Sequence, residues 1–87
     1  MYLLRLNDGT ELSCRFCSGR ELLTMSVLSE LGFLEIAEIF ADPARTQTVT
    51  FFYGEMQDVY SGYTDLVMIN RADPGEYLIS LRRAVER

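Results

Sequence analysis

The chain has 87 residues, 48% of them hydrophobic and 24% charged, with a formal net charge of −5, two cysteines, eight basic residues and no histidine. That length allows one domain, residues 1–87, and excludes a second core, while the composition excludes a disordered chain. The longest apolar run is only a few residues, far short of the roughly 18 to 20 that a spanning helix needs, so no membrane span is expected.

A chain this short buries only about 60% of the surface its unfolded form exposes, so association with further copies would help to stabilise it. The N-terminus enters a strand pattern directly, without an apolar signal-peptide stretch, and the expected location is cytoplasmic or virion-associated. All eight basic residues are arginine. The segment 21–76 holds every acidic residue except Asp8, Glu11 and Glu86, against Arg45 and Arg71 alone. Such a belt argues against nucleic acid or an anionic membrane as partner, since both require clustered positive charge. Its ordinary explanation is a solvated surface.

Tyr2, Leu4 and Leu6 alternate on one face of a first strand, and Leu12, Cys14 and Phe16 do the same in a second. Asn7-Asp8-Gly9 between them is a hairpin turn, because Asp-Gly tolerates the positive φ that matches strand twist. Ser18-Gly19 breaks the second strand. Leu23, Met25 and Val27 then share one face of Glu21–Leu28, read as a third strand although Glu-Leu-Leu could also begin a helix. Phe33, Ile36, Ala37 and Phe40 fall at helical spacing, with Glu35, Glu38 and Asp42 on another side. Gly32 is the expected N-cap and Asp42-Pro43 the stop.

From Thr46 to Arg83 the pattern returns to period two, and the rest of the chain is expected to cover this stretch. Val49, Phe51 and Tyr53 share a face; Met56–Tyr60 is short and polar, as an edge strand would be; Tyr63, Val67 and Ile69 alternate, then Tyr77, Ile79 and Leu81. Turns are expected at Gly54, at Ser61-Gly62 and at Asp73-Pro74-Gly75, the last with Pro and Gly placed as a type II turn requires. The resulting fold class is α+β, mainly β: an antiparallel meander of about seven short strands with one short amphipathic helix packed on the sheet.

Cys14-Arg15-Phe16-Cys17 has a metal or redox spacing, but no further Cys or His completes a zinc site, and odd spacing within a strand is expected to point the thiols to opposite faces. Cys14 is then a core residue and Cys17 partly exposed. The absence of His removes the commonest general base, and the glycines are scattered singly at turns, so neither an enzyme nor a cofactor, metal or small-molecule substrate is expected. Phe52, out of phase with Phe51 and Tyr53, would be exposed with Leu66 and Met68, leaving an apolar second face that wants a partner. With Met56 and Tyr60 on the edge run, these residues form a candidate interface with a protein partner or with further copies in a homo-oligomer.

The string Glu38-Ile39-Phe40-Ala41-Asp42-Pro43-Ala44-Arg45-Thr46, followed by Val49-Thr50-Phe51 and Tyr60-Ser61-Gly62-Tyr63-Thr64, resembles a pattern in small structural or tail-region accessory proteins of phages and prophages of Gram-positive bacteria. An opening strand with Asn7-Asp8-Gly9-Thr10 and a closing strand Tyr77–Arg82 extend the resemblance over most of the chain. It implies a non-enzymatic virion or tail-region protein that works by self-assembly or docking, and it transfers no catalytic residue. The alternative is a small acidic inhibitor of a bacterial nucleic-acid enzyme, in which Glu35, Glu38, Asp42, Glu55, Asp58 and Asp65 imitate phosphates. That alternative requires these carboxylates to form one stripe.

Overall fold

The computed structural model describes residues 1–84. In chain order the elements are β1 (Tyr2–Arg5), β2 (Glu11–Gly19), β3 (Leu22–Leu28), α1 (Phe33–Ala41), α2 (Pro43–Thr46), β4 (Thr48–Tyr53), β5 (Met56–Ser61), β6 (Asp65–Asp73) and β7 (Glu76–Arg82). The strands form one seven-stranded sheet in the order β5-β4-β1-β2-β3-β7-β6. Every pairing is antiparallel. The mainly β class with a short covering helix is therefore as the sequence indicates.

Consecutive strands β5 and β6 lie at opposite edges of this sheet, so the expected hairpin at Ser61-Gly62 does not form. Gly62, Tyr63 and Thr64 are all that joins them, a link that spans at most about 14 Å. The outer strands of a flat sheet of this size would stand about 29 Å apart at about 4.8 Å per gap. The sheet must curl. The consequences of the curl are visible in contacts: the Tyr60 ring on β5 lies against Gly19 on β2, and the Ala84 amide beyond β7 donates to the Gly62 carbonyl at 3.1 Å.

The concave face is the core. Leu4, Cys14, Leu23, Met25, Val27, Val49, Ile79 and Leu81 are fully buried on it, and Ile36 and Phe40 of α1 complete it. Each large apolar side chain so buried contributes about 1.5–3 kcal/mol relative to exposure. Two buried tyrosines fix the loops around this core through their hydroxyls. Tyr77 donates to the Leu31 carbonyl ahead of α1 at 2.7 Å, and Tyr63 donates to the Arg20 carbonyl in the β2–β3 turn at 2.7 Å.

The helical segment is longer than Asp42-Pro43 suggests. Gly32 does precede α1, without a side-chain cap, but Asp42 both ends α1 and caps α2, its Oδ1 accepting from the Ala44 amide at 3.0 Å with Pro43 at the first helical position. Arg45 then meets Asp8 at 3.1 Å and Asp42 at 3.6 Å, while the Asn7 side chain donates to the Ala44 carbonyl. This ties α2 to the β1–β2 hairpin.

Two expected strand phases are corrected by β-bulges, each of which inserts a residue and reverses the facing of the residues beyond it. The β2–β3 register shifts between Cys14 and Phe16, so Phe16 faces outward and is 44% exposed. Cys17 is thereby turned into the core beside Cys14, and both are buried. The β6–β7 register shifts between Leu66 and Met68. Leu66 consequently packs on the core and Val67, expected inside, is 47% exposed. Tyr63 is buried as expected, but in the link and not in a strand.

The Gly19 contact gives the curl a direct test. A Cβ built on Gly19 would come within 2.5 Å of the Tyr60 ring, so Gly19→Ala should destabilise the fold by about 1–3 kcal/mol in urea unfolding. In a Tyr60→Ala background the same substitution should cost under about 0.5 kcal/mol, and additive effects would contradict the contact.

Candidate functional site

The sequence places its candidate interface on Phe52, Leu66, Met68, Met56 and Tyr60, and the fold distributes these among different surfaces. Phe52 faces outward on β4, half-buried, with the Arg5 guanidinium 4.8 Å above its ring. That guanidinium also donates to Glu11 at 2.7 and 2.9 Å, so the ring is roofed by an anchored cation. Met68 faces outward beside Ser80 on the far side of the sheet order, and Leu66 faces the core. Met56 is 61% exposed at the start of β5, and Tyr60 turns inward against Tyr63, with ring centroids 6.3 Å apart.

The candidate acidic residues sit on separate elements. Glu35 and Glu38 are exposed on α1 and Glu55 is exposed in the β4–β5 turn. Asp42 caps α2, and Asp65 holds Arg82 at 2.6 Å. Asp58 faces the concave side opposite Phe51. Three of the six carboxylates thus already serve partners within the chain, which leaves a phosphate-mimicking stripe short of free charge.

Asp58 lies within a group of ionisable side chains with Tyr53, Tyr60 and Cys17. It accepts from the Tyr60 hydroxyl at 3.5 Å. Interaction with the Asp58 carboxylate, then desolvation, raises the Tyr53 hydroxyl above its ordinary range; for Tyr60 burial is the larger cause, with the Asp58 charge adding to it. Tyr53 in turn stacks on Phe51 with centroids 5.1 Å apart. The cluster lies on the concave face of the β4–β5 hairpin. It offers a carboxylate flanked by neutral phenols.

Beneath it, burial pushes Cys14 up to about 11 and Cys17 up to about 12. Thiols held this firmly protonated are poor nucleophiles and poor metal ligands. Among the described residues no group of three or more His, Cys, Asp or Glu side chains converges as a metal site would require. A hollow of about 480 Å³, open to solvent, lies on the convex face and is lined by Ser18, Arg20, Glu21, Leu22 and Thr24.

Unsatisfied bonding capacity remains at the strand edges. Among the described residues β5 pairs only with β4, so its other side presents backbone N–H and C=O groups for bonding. Val59, absent from the interface expected on sequence grounds, is 55% exposed on this strand. Period-two spacing from Gln57 would have found it, since Gln57, Val59 and Ser61 share the convex face.

Both thiols hold their protons more tightly in the folded than in the unfolded chain. Stability should therefore be level below the ordinary thiol value of 9.0 and fall as pH rises from there towards 11 and 12. A Cys14→Ala, Cys17→Ala variant should lose that thiol part of the alkaline decline in pH-dependent unfolding, and rapid labelling of folded wild type by a thiol reagent at pH 8 would contradict the assignment. Asp58→Asn should lower the Tyr53 titration towards its ordinary range and Tyr60 less, because burial dominates there. Ultraviolet titration of Tyr53→Phe and Tyr60→Phe variants, each with and without the Asp58 change, separates the two.

A scan against protein-family models matches none, and searches of curated proteins and of solved structures find no similar chain.

Proposed function

We propose that this protein is a non-enzymatic interaction module that works by self-assembly or by docking to a component of a larger structure. The observation that carries the reading is the open edge of β5, on which Met56 and Val59 are 61% and 55% exposed. Unpaired strand backbone bonds readily to another strand, and alternate side chains supply the specificity. The resemblance of Glu38–Thr46 and Tyr60–Thr64 to small phage proteins supplies the setting, a virion or tail region of a phage or prophage. In that setting the net charge of −5 keeps unassembled copies soluble and orients approach.

Light scattering on a sizing column, at low and at moderate salt, tests this reading. A defined oligomer that persists in moderate salt is expected, because strand pairing and apolar contact are little screened. A monomer at every concentration that also binds no phage tail or virion component would contradict it.

A further inference from the structure

The two edges of the sheet are not alike. β6 is bulged at Val67 and again at Ala72, its register shifting between Leu66 and Met68 and between Arg71 and Asp73. Bulges of this kind twist an edge out of the geometry that an incoming strand needs. β5 runs in unbroken register from Met56 to Ser61, and its sequence Met-Gln-Asp-Val-Tyr-Ser has no Pro, Lys or Arg. One edge is protected and the other is left straight, uncharged on its convex side and accessible.

We propose that the occupant of the β5 edge is the β5 edge of a second copy, paired antiparallel about a two-fold axis at Val59. This rests on the self-assembly limb of the proposed function and names the surface and the register. The register is set by the side chains. In a symmetric antiparallel pair whose concave faces stay on one side, residues with the same facing must oppose each other. An axis at Asp58 would set carboxylate against carboxylate, a directly opposed like-charge pair. An axis at Gln57 or at Tyr60 shortens the overlap at one end of the strand. With the axis at Val59, Gln57 opposes Ser61, Asp58 opposes Tyr60, and Val59 opposes its own copy. Every carboxylate then lies beside a tyrosine of the partner, and the exposed valines bury one another. An isologous contact of this kind closes at two copies, consistent with the closed symmetry usual for soluble oligomers.

The test uses the full chain. Val59→Lys changes an exposed side chain without altering the backbone and places two ammonium groups in opposition across the axis. It should raise the dimer dissociation constant by about tenfold or more in sedimentation equilibrium, with an unchanged far-ultraviolet circular dichroism spectrum. Val59→Cys should form an intermolecular disulfide under mild oxidation much faster than Val67→Cys on the β6 edge, which is similarly exposed; the native cysteines are buried. Those two results together support the proposal. A wild-type oligomer that Val59→Lys leaves intact, with no preference for Val59→Cys, would overturn it while leaving self-assembly through another surface. A wild-type monomer at all concentrations would also overturn it, and would give the edge to a strand of a different protein.

Discussion

Three residues, Gly62, Tyr63 and Thr64, have to join the two outermost strands of a seven-stranded sheet. Because so short a link cannot cross the width of a flat sheet, curvature is imposed by connectivity, and the remaining features answer to it. The concave side becomes deep enough to bury a core running from Leu4 to Leu81, with Ile36, Ile39 and Phe40 of α1 packed on it. A Cβ at Gly19 would collide with the Tyr60 ring that crosses over it. Tyr63, in the link itself, is anchored through its hydroxyl to the Arg20 carbonyl, so the closure is pinned from within as well as along the backbone.

Curvature of this kind brings the edges near each other at one point without pairing them. The amide of Ala84 reaches the Gly62 carbonyl, yet among the described residues β5 bonds only to β4 and β6 only to β7. The sheet therefore keeps a backbone edge on each side, and the two are handled differently. Bulges at Val67 and Ala72 disturb β6, whereas β5 stays in unbroken register with β4 and carries Asp58 and Tyr60 on its concave side. Ionisable groups here hold structure: the tyrosines stay neutral beside a carboxylate, the thiols stay protonated in the core, and Asp42 and Asp65 are engaged by a helix terminus and an arginine.

Much of the fold is legible in the sequence where local chemistry decides it. Asn7-Asp8-Gly9 and Asp73-Pro74-Gly75 turn as read, Gly75 taking φ of +81°, and the phases of Val49, Phe51 and Tyr53 and of Tyr77, Ile79 and Leu81 are those of the core. The hidden features depend on partners distant in sequence. A bulge at Arg15 arises from how β2 meets β3, and no residue there signals it, so Cys17 and Phe16 exchange their expected environments. Leu66 and Val67 exchange theirs for the same reason. Ser61-Gly62 has the composition of a tight turn and of a crossing link alike, and only the final strand order separates them. Asp42-Pro43 reads correctly as the end of one helix, but Asp before Pro is equally a cap for the next. The edge character of Met56–Tyr60 is visible in its polarity, whereas Phe52, Leu66 and Met68 could be assigned to one surface only by assuming a flat sheet without bulges.

Under the proposed pairing the free edge of β5, and not that of β6, is the working surface. Amide hydrogen exchange measured strand by strand, at dilute and at concentrated protein, tests it most directly. Amides of Gln57–Ser61 pointing away from β4 should gain protection as concentration rises, while the outer amides of β6 should not. Outer β5 amides that exchange freely at every concentration, or protection that grows on β6 instead, would contradict it.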